Sequence, residues 1–155
     1  MTKGNDKFIQ QAINEVGVKV KNGYSGYIDA YELYGTTVKI NLFNSDSKQY
    51  VHVFYNGIEA EKEKIQINKR YANMDAKLDD LKSKKIKRKE DVSFYEAYYR
   101  LKYDANGYFI AHQRKNDKLE ELINKAGYFC IVTSKEMTAE EALEIYRDRD
   151  AIEKN

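Results

Sequence analysis

Helical spacing and strict alternation of apolar positions trade places several times along these 155 residues. Residues 5–16 predict a short helix, with Asn5 or Asp6 as cap, Phe8, Ile9, Ala12, Ile13 and Val16 on one face, and Gly17 as its stop. From Val18 to Asn44 the pattern changes to short strands punctuated by Gly23, Gly26 and Gly35, and Val38, Ile40 and Leu42 alternate with Lys39, Asn41 and Phe43. Asn44-Ser45-Asp46-Ser47 reads as a turn, so the strand from Tyr50 to Tyr55 pairs back as a hairpin. A long helix is predicted from about Glu59 to about Lys85, its seam formed by Ile67, Tyr71, Met74, Leu78 and Leu81 at spacings of four, three, four and three.

Alternation returns after Val92. Tyr95, Ala97, Tyr99, Leu101 and Tyr103 fall on one face of a predicted strand, Asp104-Ala105-Asn106-Gly107 makes a hairpin loop, and Tyr108 to His112 return. Asn116 or Asp117 caps a short helix carrying Leu119, Leu122 and Ile123. Gly127 to Thr133 is apolar at alternate and intervening positions alike, so it reads as a strand covered on both faces. Thr138 and Glu141 have the spacing of a capping box for the last helix.

Charge changes this picture in one place. The totals of 27 basic and 25 acidic residues are balanced, but residues 56–90 carry 11 basic and 7 acidic groups. Lys82, Lys84, Lys85, Lys87, Arg88 and Lys89 end the long helix; they suit a helix C-terminus, and four of them (Lys84, Lys85, Lys87, Arg88) are candidates for contact with DNA phosphates. Aromatics do not interleave with the run, which argues against base stacking there. Tyrosines of residues 94–110 read as cross-strand packing pairs.

Other candidate chemistry is sparse. His52 and His112 have no Cys or acid at zinc spacing. The single cysteine, Cys130, lies between Phe129 and Ile131 and reads as a core thiol, with no internal disulfide possible. Neither a membrane span nor a signal peptide is visible, and a cytoplasmic location is expected.

The last helix is different. Tyr146, Arg149 and Glu153 stand at offsets of zero, three and seven, which at about 100° per residue places them within roughly 60° on one face. A ring, a guanidinium and a carboxylate so arranged can hold a phosphate backbone beside a metal ion.

This Y-x2-R-x3-E pattern resembles the signature of the bacterial insertion-sequence DDE transposases. Tyr34-Gly-Thr-Thr-Val38, His52-Val-Phe-Tyr55 and the stretch from Gly127 to Tyr146 are similar to the segment between the second catalytic Asp and the catalytic Glu, so the likeness spans roughly residues 27–155. The resemblance implies an α+β chain in three parts. Residues 1–17 would be a short helix of the catalytic core, and 18–115 a mostly antiparallel β insertion domain with the long helix. Residues 116–155 would be part of a ribonuclease-H-like core.

By the same resemblance Glu153 is the catalytic residue and a metal ligand, while Tyr146 and Arg149 contact DNA. The complete enzyme would use Mg2+ or Mn2+ to cleave transposon-end DNA and transfer strands. No Asp here has the strand context of the other two ligands, so this chain is expected to be a truncated frame or a segment, inactive alone and binding no metal. The alternative is an independent DNA- or protein-binding module that restrains a full-length transposase by association, or pairs with itself, using the seam Ile67–Leu81 and the basic run. With its first core strands missing, residues 134–155 are expected to fray or self-associate, because Phe129, Val132 and Leu143 would be partly uncovered.

Overall fold

The computed structural model of the protein describes residues 7–23, 26–41, 48–87 and 90–154, with side chains at 10–23, 26–40, 49–87 and 91–152. In chain order the elements are α1 (Lys7–Lys21), β1 (Tyr27–Ile28), β2 (Leu33–Asn41), β3 (Lys48–Tyr55), α2 (Gly57–Ser83) and α3 (Glu90–Ser93). Then come β4 (Tyr99–Tyr103), β5 (Phe109–Arg114), α4 (Asn116–Asn124), β6 (Tyr128–Thr133) and α5 (Ala139–Lys154). The fold is mixed α and β, with antiparallel sheets of four and two strands. Two compact units share the chain: residues 1–60 with 127–155, and residues 61–126.

The first unit is built on the sheet β1-β2-β3-β6. Its central pairing sets Gly35 against Phe54, Thr37 against His52, Val53 against Cys130 and His52 against Ile131. Strand alternation then divides the core in two. Val38, Val51, Val53 and Cys130 pack with Ala12 of α1, while Leu33, Phe54 and Ile131 pack with Ala142 and Leu143 of α5. The reading of β6 as a strand covered on both faces therefore holds. The expected exposure of Leu143 does not: it is buried, because the chain's own β2, β3 and β6 supply the surface that α5 needs.

Gly17 does not stop the first helix, which continues to Lys21. Tyr128 donates a hydrogen bond to the Gly17 carbonyl (2.7 Å), and a side chain at position 17 would already touch that ring. The candidate caps Asn5 and Asp6, Leu42 and the turn 44–47 lie outside the described residues.

The second unit closes the β4–β5 hairpin over α2. Tyr71, Met74 and Leu78 of the predicted seam are buried against Val92, Tyr95, Tyr99 and Phe109, with Ile67 and Leu81 at the margin. That seam is occupied within the unit, so it is not free for an association partner. Asp75 anchors the hairpin: it accepts hydrogen bonds from Tyr99 and Arg114, and His112 pairs with Asp79 one turn on (2.8 Å). Burial opposes charge on Asp75, but the Arg114 and Tyr99 bonds outweigh it and hold the carboxyl below its usual range. The hairpin loop matches expectation, with Asp104 Oδ1 accepting from the amides of Asn106 and Tyr108 (2.9 Å each).

Residues 94–98 depart from the predicted strand. Glu90–Ser93 is helical, Phe94–Ala97 is a 3-10 turn, and the strand begins only at Tyr99. The buried positions are Val92, Tyr95 and Tyr99, a helical spacing of three and four that the period-two run of aromatics obscured. At α4 neither Asn116 nor Asp117 is the cap; Lys115 holds that position without a side-chain bond. Asn56 caps α2 instead of the later start expected, its Oδ1 accepting from the amides of Ile58 (3.1 Å) and Glu59 (3.2 Å).

Candidate functional site

The capping box fixes where α5 starts. Thr138 Oγ1 accepts from the Glu141 amide (3.1 Å), and Glu141 Oε1 accepts from the Thr138 amide (3.3 Å). Starting there, α5 runs back across the sheet and opens a groove of about 550 Å³ beside β6. Ile131, Val132, Met137, Ala142 and Ile145 form its apolar lining. Thr133, Ser134, Lys135, Tyr146 and Arg149 supply three hydroxyls and two cations. None of its lining residues is acidic.

Tyr146 and Arg149, placed on one helix face by their spacing, both line this groove. Tyr146 is half-buried against the α5-side core, and Arg149 is exposed without an ion pair among the described residues. Arg147, on the other flank of α5, lies over the Tyr31 ring at 4.4 Å. Glu153 falls in the last turn of α5, but its side chain lies outside the described residues. Among the described residues no three His, Cys, Asp or Glu side chains converge as a donor set.

Behind the groove sits His52, which the sequence left as an ordinary strand histidine. It is fully buried (0% exposed). Thr133 donates its hydroxyl proton to the Lys135 carbonyl (2.9 Å), so its oxygen accepts from His52 Nε2 (2.9 Å). Nδ1 is then the acceptor for the Thr37 hydroxyl (2.7 Å). This chain assigns a neutral, Nε2-protonated ring joining three strands and holding the Thr133–Lys135 turn at the groove rim. Its only signal in the sequence is a pair of hydroxyl residues whose register becomes known once the strands are paired.

Burial lowers the His52 pKa from the ordinary histidine value. The folded state thus disfavours the proton, so its contribution to stability is full above the unfolded value of about 6.5 and is lost as pH falls below it. Thermal unfolding followed from about pH 8 to pH 5 should show the midpoint fall below about 6.5. In His52→Gln that part of the pH dependence should disappear; an unchanged profile would exclude His52 as its source.

The basic candidates belong to the second unit. Lys84 pairs with Asp80 (2.9 Å), Lys87 lies over the Tyr108 ring (5.2 Å), and Lys85 is exposed in a left-handed conformation (φ 55°). Arg88 lies outside the described residues. Cys130 behaves as expected of a core thiol, its pKa pushed up to about 11 by burial. No helix among the described residues is long and apolar enough to cross a membrane. No family model, curated protein or solved structure matches the chain.

Proposed function

We propose that this chain is a DNA-holding part of a DDE-type transposase, and that the groove beside β6 receives a backbone phosphate of transposon-end DNA. One observation carries the reading: Tyr146 and Arg149 line the same groove as Lys135, Thr133 and Ser134, with no acid among the lining residues. Guanidinium, ammonium and hydroxyl donors around one cavity are the chemistry of phosphate capture. The apolar lining beside them suits a sugar or a splayed base.

In this reading β6 and α5 belong to a ribonuclease-H-like core, and Glu153 contributes one carboxylate to a metal pair. No Asp among the described residues stands in matching strand context, so in this reading the chain on its own binds DNA without cutting it. The exposed end of α2, with Lys85 free of ion pairs among the described residues, is a second and weaker cationic surface.

Titrating labelled duplex DNA with the intact chain at low salt tests the assignment. Arg149→Ala and Lys135→Ala should each weaken binding by roughly fivefold to twentyfold, the scale of one charge-assisted phosphate contact. Lys85→Ala should have a smaller effect. Binding that survives both groove substitutions but falls with Lys85→Ala would move the site to the second unit.

A further inference from the structure

The unit-one sheet ends on one side at β1, only two residues long, and on the other at β6, which is six residues long. Natural sheet edges carry charges, prolines or bulges that stop other strands from adding to them. Tyr128-Phe-Cys-Ile-Val-Thr133 has none: it holds no charge and no proline, and its pairing with β3 runs without a register shift. Nothing in the strand itself blocks the addition of another strand.

The flank of α5 on the same side as the groove indicates with what. Ile145 (47% exposed) and Ile152 (75% exposed) stand seven residues apart, with Asp148 and Arg149 between them, both exposed and without an ion pair among the described residues. At about 100° per residue these four fall in an arc of about 100°. Their order is apolar, acid, base, apolar. When two such stripes face each other antiparallel, Ile145 meets the other copy's Ile152 and Asp148 meets the other copy's Arg149. The stripe is complementary to itself.

We infer that β6 pairs antiparallel with β6 of a second copy, extending the sheet across a two-fold axis and bringing the two α5 stripes together. A two-fold axis normal to the sheet leaves both α5 helices on one face and antiparallel, as the charge pattern requires. The inference does not rest on the DNA reading. If both hold, the second copy and DNA compete for Arg149, and association restrains binding.

Sedimentation of the intact chain over a wide concentration range, without nucleic acid, tests the pairing. The wild type should dimerise reversibly. Asp148→Arg and Arg149→Asp should each weaken the dimer by roughly tenfold or more, since each sets like charges face to face. The double variant Asp148→Arg/Arg149→Asp should restore it, because the swapped stripe is again self-complementary. All four positions of the stripe are exposed, so these changes leave the core intact. A monomer at every concentration would overturn the inference and leave the edge to a strand of another polypeptide. A dimer indifferent to the charge reversals would overturn it as well.

Discussion

Phe54→Ala is expected to remove about 3–5 kcal/mol from the first unit, the usual cost of deleting a fully buried phenyl ring. Phe54 is wholly buried and stacks on Phe129 with ring centroids 4.8 Å apart. Its ring lies across Gly35, where a side chain would come within 2.7 Å of it. The ring fills the space between β2 and α5, touching a cluster that includes Leu33, Ala142 and Leu143. The backbone at Gly35 already lies against the ring, with no room for a Cβ between them. Chemical denaturation should show the loss as a lower midpoint with little change in slope, and Tm should fall on the order of 10 °C. A loss below about 1 kcal/mol would mean that the α5-side core is not packed as described.

Gly26→Ala should cost about 3 kcal/mol, for two separable reasons. Gly26 has a φ of 79°, where an L side chain is strained. A Cβ there would also sit 1.8 Å from the Gly35 carbonyl oxygen, so the backbone must move and the hydrogen bond from the Gly35 amide to the Gly26 carbonyl (2.8 Å) must go. Gly107 separates the two terms. Its φ is 86°, but no atom stands within 4 Å of the added Cβ, so Gly107→Ala should cost only the strain of about 1 kcal/mol. Equal losses at the two positions, measured by the same denaturation, would show that the close approach at Gly26 does not matter.

Both predictions turn on glycines that were visible in the sequence as punctuation but not as packing devices. What was legible there was local. The Thr138–Glu141 box, the seam of α2, the Asp104 loop and the strand character of residues 128–133 each depend on neighbours within about ten positions, and each is present. What was not legible depends on distant pairing. Nothing short-range announces that Thr133 lies opposite Tyr50, or that His52 stands between Thr37 and Thr133. The segment 94–98 misled for a related reason: a ladder of aromatics satisfies period two, while burial at 92, 95 and 99 follows the helix.

The candidate site divides the same way. Tyr146 and Arg149 could be placed on one helix face from spacing alone, and they do line one groove. Lys135 and the hydroxyls of Thr133 and Ser134 join them only because β6 turns back into α5 along the sheet edge. The basic run, prominent in the sequence, is partly engaged in the structure: Lys84 pairs with Asp80 and Lys87 lies over the Tyr108 ring. Charge density along a chain is a poor guide to charge that is free to act.

The salt dependence of DNA binding by the intact chain tests the central claim most directly. Affinity should fall linearly on logarithmic axes as salt rises, and Arg149→Ala should reduce the slope by about 0.9, the counterion release of one phosphate contact on duplex DNA. Absence of binding at low salt, or a slope that Arg149→Ala leaves unchanged, would contradict the assignment of this groove to DNA.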